Sequence, residues 1–152
     1  MRRALTALLL AIVVIAAEAA PASAASTREE YAQQADPICR TSNKAWSRLW
    51  KRFLRADRQL KFHAAGNALN AIGTNLAATN DKLELIAPPP GDAALIGKWI
   101  GIWDRIAHFY ELAASDYRLR KFSSLRQVLE GTVRLSKGAA RLVSGFPFQA
   151  CA

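Results

Sequence analysis

The chain has few of the residues that usually carry chemistry. Its 152 residues include only two cysteines, two histidines and one methionine. The sequence also lacks Gly-x-Ser-x-Gly, His-Glu-x-x-His, Cys-x-x-Cys and any glycine-rich phosphate loop, which are the short signatures of common hydrolases, zinc proteases, thiol oxidoreductases and nucleotide-binding proteins. We therefore expect a protein that is not an enzyme, with no catalytic residues and no metal, haem or other cofactor.

Helix breakers are also scarce, and they are grouped. The six prolines stand at Pro21, Pro37, 88–90 and Pro147. The long stretches between them are rich in alanine, leucine, arginine and lysine, and they show little of the alternation of β-branched residues that is typical of strands. The sequence therefore predicts an all-α fold.

The first two dozen residues have the layout of a secretory signal peptide. Two arginines precede an apolar run at 4–17, and small residues at 22–24 offer a cleavage site after Ala24. The run of about 14 residues is shorter than the ~20 that a membrane-spanning helix needs, although a retained anchor remains an alternative. We expect 1–24 to be removed and 25–152 to form one exported domain, secreted or in the cell envelope, with no stable transmembrane anchor.

The two cysteines, Cys39 and Cys151, lie near the two ends of that domain. In an oxidising compartment a lone pair of thiols normally forms a disulfide, and no cysteine is left over for redox chemistry. Closing a loop of this length restricts the unfolded chain by roughly 4 to 5 kcal/mol in the entropy model. We therefore predict a disulfide that ties the first helix to the C-terminal tail.

Helical spacing of apolar residues predicts four amphipathic helices, which is the pattern of a four-helix bundle, most simply up-down-up-down. Pro37 lies inside the first helix, so we expect a kink there, or a restart with Asp36 as the cap. The expected bounds are a first helix from a capping box at Ser26-Thr27-Arg28-Glu29 to about Arg55, a second from Asp57 to Ile86, a third from Gly91-Asp92 to Lys121, and a fourth from Ser123 or Ser124 to Gly145.

Three residues of the third helix resemble a metal-binding or acid-base group, because Asp104, His108 and Glu111 are spaced i, i+4, i+7. The helical wheel places them opposite the apolar face, where such charges are ordinary surface residues. His63 likewise points away from the apolar seam of the second helix. An enzyme with an unfamiliar site would need an inward-facing polar cluster, and the wheels show none.

The clearest binding signal is a run of cations on the first helix. The chain is strongly basic, with a formal net charge of +9. Seven cations occupy a wedge of about 120° on this helix, with one acid, Asp57, in the same stretch. We call them the cationic stripe: Arg40, Lys44, Arg48, Lys51, Arg52, Arg55 and Arg58. The stripe is either a solvated helix face or a binding surface for acidic lipid headgroups or an anionic envelope polymer, and export argues against nucleic acid.

Tryptophan pairs offer an alternative function. Trp46 and Trp50 on the first helix, and Trp99 and Trp103 on the third, are both i, i+4 pairs. Clustered indoles can line a pocket for a small apolar ligand between the first and third helices, although ordinary core and boundary packing is the simpler explanation. Two glycines that bracket Trp99 would permit a close helix approach or leave a hollow, namely Gly97 and Gly101.

The stretch from Tyr31 to Cys151 resembles a group of small exported helical proteins common in high-GC Gram-positive bacteria. The resemblance rests on Ala-Asp-Pro-Ile-Cys at 35–39, Asn43 four residues later, a proline-rich turn after 85–87, and a closing Gly-aromatic segment that ends in cysteine. Pro37 stands where members of the group more often have alanine. The resemblance implies export, helices and the disulfide, and it assigns no activity to any residue.

Overall fold

The computed structural model describes residues 27–151, and within that range the chain folds into four helices without strands. The predicted all-α class is therefore confirmed. The expected signal peptide, 1–24, lies outside the described residues. The helices are α1 (Arg28–Arg58), α2 (Phe62–Glu84), α3 (Ala93–Arg118) and α4 (Phe122–Leu142).

The start of α1 differs by one residue from the prediction. Thr27, and not Ser26, is the N-cap, and its hydroxyl accepts a hydrogen bond from the amide of Glu30 at 3.2 Å. The predicted restart at Pro37 is wrong, because α1 is assigned as one continuous helix through this residue. The carboxylate of Asp36 is free to bind elsewhere, since it caps no new helix.

Two three-residue turns join α1 to α2 and α3 to α4. In each turn a lysine amide bonds back five residues, from Lys61 to the carbonyl of Ala56 and from Lys121 to that of Asp116. The residue before each lysine has a left-handed backbone, with φ of 53° at Leu60 and 59° at Arg120. The predicted break at 56–57 is wrong by several residues. The left-handed position of such a turn usually holds glycine, but it holds leucine in the turn between α1 and α2, so the sequence does not mark the turn.

The remaining helix ends differ by a few residues. α3 ends at Arg118 and not at Lys121, and α4 runs from Phe122 to Leu142 and not from Ser123 or Ser124 to Gly145. The hydroxyl of Ser124 donates to the carboxylate of Asp116 at 2.6 Å, so it ties α4 to the end of α3 and is not a cap. The predicted serine cap is wrong because α4 begins directly after the three-residue turn.

The connection between α2 and α3 contains the proline run, as expected. α2 ends at Glu84, two residues before the predicted Ile86. Gly91 adopts φ of 85°, in the left-handed region that favours glycine. Asp92 is the N-cap residue of α3, yet its carboxylate accepts from Arg28 at 2.7 and 2.8 Å and makes no capping bond. This pair fixes the start of α1 against the start of α3.

Consecutive helices pack against each other, which is consistent with up-and-down topology. α2 and α3 come closest, because a Cβ on Gly73 would lie 2.7 Å from the carbonyl oxygen of Ala107, and one on Gly66 would lie 2.8 Å from that of Ala114. Within the described range, the backbones of α1 and α4 do not pack closely. None of the four helices has the length and apolar character needed to cross a bilayer.

The C-terminal tail packs into the core between the outer helices at the end opposite the three-residue turns. Phe146 is buried with Tyr31 of α1 and Val143 at the end of α4. Phe148 stacks on Trp99 of α3, with ring centroids 5.4 Å apart. The tail is therefore a structural element that closes this end of the bundle.

Candidate functional site

All seven cations of the stripe are exposed, as the helical wheel predicted. Among the described residues, no carboxylate lies within 4.0 Å of any of them, since the ion pairs present involve Arg28, His108 and Arg126. From Arg40 to Arg58 the stripe extends along the helix for about 27 Å. It is a continuous cationic face whose charge is not neutralised by ion pairing with residues 27–151.

The neighbouring helix does not neutralise this face either. From Phe62 to Asn80, α2 contains no aspartate or glutamate. Between Arg40 and Asn80 the single acid is Asp57, and its carboxylate accepts a hydrogen bond from the Tyr117 hydroxyl. Burial, followed by this hydrogen bond to the carboxylate, raises the pKa of Tyr117. Between Arg40 and Asn80 the α1–α2 hairpin therefore presents cations beside uncharged residues.

Acids gather at the opposite end of the molecule. They stand at the start of α1, at the end of α2 and at the start of α3. The Arg28–Asp92 ion pair joins the starts of α1 and α3. These acids are Glu29, Glu30, Asp36, Asp81, Glu84 and Asp92. Cations such as Arg28, Lys82 and Lys98 balance the acids at this end, so the excess positive charge of the bundle lies toward the three-residue turns.

The tail is held by three residues of α1 that lie on one face. Cys39 forms the predicted disulfide with Cys151, with Cα atoms 5.2 Å apart. The carboxylate of Asp36 accepts from the amides of residues 149 and 150 at 2.8 and 2.9 Å. The side-chain amide of Asn43 donates to the carbonyl of Ala150 at 2.9 Å. The spacing i, i+3, i+7 was visible in the sequence, but the role of Asp36 and Asn43 was not.

The four tryptophans do not surround one hollow. Trp46 and Trp50 stack with centroids 5.5 Å apart beside the core, near the middle of α1. Trp99 is 1% exposed and sits in the core at the tail end, whereas Trp103 contacts both parts of the core. Gly97 and Gly101 face open space, because a Cβ at either position would meet no other residue within 4 Å.

A small pocket lies beside the disulfide. Its volume is about 90 Å³, and its walls include Trp99, Trp103 and Leu83. Ser42 also lines it and accepts hydrogen bonds from Asn75 and Thr79 at 2.9 and 2.8 Å. The indole N–H of Trp99 is buried without a partner. The pocket is smaller than the 300 to 1,000 Å³, approximately, of most ligand sites.

The acid-histidine group of α3 lies on the surface, as predicted. The imidazole of His108 is 3.3 Å from the Glu111 carboxylate, and Asp104 accepts instead from Asn80 at 2.6 Å. His63 is also exposed. Across residues 27–151, no group of three or more histidine, cysteine or acidic side chains is placed to hold a metal ion.

Comparison with known protein families, curated proteins and solved structures finds no match. The site must be interpreted from its own geometry.

Proposed function

We propose that this protein is a non-enzymatic binding protein that attaches to an anionic surface or polymer of the cell envelope through the cationic stripe of α1. The observation that carries the proposal is that seven exposed cations follow one helix face without a carboxylate within 4.0 Å among the described residues. Surface cations are normally interspersed with acids, and an uncompensated face attracts polyanions.

The tertiary structure supports the same proposal. The neighbouring surface of α2 lacks acids from Phe62 to Asn80, so the field of the stripe extends across the hairpin. Since α1 is one continuous helix, the backbone positions of the cations form a fixed row, and only their side chains have to be ordered on binding. The disulfide and the absence of a spanning helix within residues 27–151 are compatible with an extracellular location.

A carrier for a small apolar ligand has less support. Trp46 and Trp50 lie outside the pocket that Trp99 and Trp103 line, and that pocket is about 90 Å³. A ligand of ordinary size would require the core to open.

The stripe is tested with a triple variant that removes three central cations, Arg48→Gln, Lys51→Gln and Arg52→Gln. Each cation near an anionic surface contributes about 1 kcal/mol, so we expect about a hundredfold weaker binding to phosphatidylglycerol vesicles and to a soluble phosphate polymer. Sedimentation of vesicles and fluorescence anisotropy with the labelled polymer measure the two affinities. Wild-type binding should also weaken steeply as salt is added.

A matched control removes three exposed cations from the other half of the bundle, Arg105→Gln, Arg134→Gln and Lys137→Gln. Both variants lose the same net charge, so a difference between their affinities would come from the position of the cations in the stripe. Equal losses in the two variants, or binding that does not respond to salt, would contradict the proposal.

A further inference from the structure

The two three-residue turns form one end of the bundle, which we call the tip. Phe62 and Phe122, the first residues of α2 and α4, contact each other with ring centroids 5.9 Å apart. The guanidinium of Arg120 lies 4.5 Å from the ring centroid of Phe62, so a side chain of one turn covers the start of the helix that follows the other. The two turns therefore present a single surface.

Large apolar side chains are exposed on this surface. Leu60 is 71% exposed, Leu119 is 60% exposed and Phe122 is 48% exposed. Leu60 also holds the left-handed position of its turn, with φ of 53°, where glycine would be free of strain. An exposed leucine at such a position contributes little to the core and is placed to contact something outside the molecule.

Cations lie in these two turns and beside them in the chain. There are six, of which Arg55 and Arg58 also belong to the cationic stripe: Arg55, Arg58, Lys61, Arg118, Arg120 and Lys121. The two acids of the tip, Asp57 and Asp116, accept hydrogen bonds from hydroxyl groups of Tyr117 and Ser124. Leu85, at the opposite end, is 78% exposed but stands next to Glu84, where acids and cations are about balanced. Apolar exposure therefore coincides with an excess of positive charge at the tip and not at the other end.

We infer that the tip inserts Leu60 and Leu119 into the headgroup region of an acidic phospholipid bilayer, while the neighbouring cations contact lipid phosphates. This inference rests on the proposed function and names the lipid as the anionic partner. Exposed leucines beside lysine and arginine match the apolar and anionic layers of a membrane surface, whereas a soluble polyanion has no apolar layer for the leucines to enter. The asymmetry of charge along the bundle would orient the positive end toward such a surface.

Insertion is measured with an environment-sensitive nitrobenzoxadiazole label on Leu60→Cys, in the full disulfide-bonded protein. Within residues 27–151 no free cysteine is present, so the label reports one place. On phosphatidylglycerol vesicles we expect a blue shift with stronger emission. The same label on Leu85→Cys serves as the control and should not shift. No shift at residue 60 on vesicles that have bound the protein would overturn the inference, as would an equal shift on zwitterionic phosphatidylcholine vesicles.

A second measurement separates the tip from the stripe. Leu60→Ser combined with Leu119→Ser should lower vesicle affinity about tenfold or more and leave binding to the phosphate polymer unchanged. Leu85→Ser combined with Val133→Ser removes two apolar side chains of comparable exposure elsewhere and should leave both affinities unchanged. If the tip variant binds vesicles as tightly as wild type does, the inference is overturned but the proposed function is not. The proposed function still stands if the stripe variant loses binding to both vesicles and polymer.

Discussion

Asp36 is a buried carboxylate that serves the tail and not its own helix. It is 5% exposed, and it accepts from the backbone amides of Gln149 and Ala150. Those amides belong to a segment without regular structure, so the carboxylate supplies the partners that a helix or sheet would otherwise give. Asp36 therefore helps to hold the tail against α1, together with the disulfide and Asn43.

Replacing Asp36 with alanine should destabilise the fold by about 2 to 3 kcal/mol, because two amides lose a charged acceptor in a partly buried site. Asn43→Ala is the matched comparison, since it removes one uncharged hydrogen bond to the same tail and should cost about 1 kcal/mol. Urea unfolding measures both losses, and the disulfide of the Asp36 variant should be reduced faster. Equal stabilities for wild type and the Asp36 variant would show that the tail does not depend on this carboxylate.

At the scale of helices, the glycines divide into two kinds. Gly66 and Gly73 of α2 lie against the backbone of α3, which explains why these two helices pack closest. A Cβ on Gly97 or Gly101 of α3 would meet nothing within 4 Å. In the sequence the second pair was noticeable because it flanks a tryptophan. The close packing of α2 on α3 instead depends on the first pair, where there is no room for a side chain.

Gly73→Ala should destabilise the protein by about 1 to 3 kcal/mol, since its methyl group would meet a backbone carbonyl at 2.7 Å and force the helices apart. Gly97→Ala should instead stabilise it by up to about 1 kcal/mol, because alanine favours the helix and nothing obstructs it. Thermal and urea unfolding of the two variants give the comparison. Two changes of the same sign would mean that close approach does not govern the α2–α3 interface.

At the scale of helices, the sequence alone predicted the helix faces but neither every turn nor the long-range contacts. Helix faces were predictable because amphipathic spacing is local, so burial of Leu69, Ile72 and Leu83 and exposure of the cationic stripe both agree with the wheels. The turn at Leu60 was missed because neither glycine nor proline marks it. The contacts of Asp36 were not predictable, since its partners lie 113 and 114 residues away in the chain.

Over the whole molecule, all three tyrosines have a raised pKa. Burial raises the pKa of Tyr31 from its ordinary value of 10.0 to about 12. Burial also raises the pKa of Tyr110, although a hydrogen bond with Trp46 acts in the opposite direction. For Tyr117, burial and the hydrogen bond to Asp57 both raise the pKa. Each phenol prefers to stay neutral in the folded bundle.

We therefore expect stability to fall in alkaline solution. A group whose pKa is higher in the folded state than in the unfolded state contributes stability that is fully present below the unfolded value and is lost as pH rises through the folded value. For Tyr31 that window runs from about 10 to about 12. Phenolate absorbance should show no ionisation near pH 10 while the protein stays folded, and it should rise together with the loss of helical circular dichroism. A separate tyrosine ionisation near pH 10 in intact protein would contradict this expectation.

The disulfide has one further consequence for the chain as a whole. Cys39 and Cys151 are 112 residues apart in sequence, so both basic turns, 59–61 and 119–121, lie inside the covalent loop. Lysine and arginine at exposed turns are the preferred targets of trypsin-like proteases. A single cut at either turn would leave the two fragments joined through sulfur, with the tail still on α1. Such a nicked protein would keep its halves together until a reductant separates them.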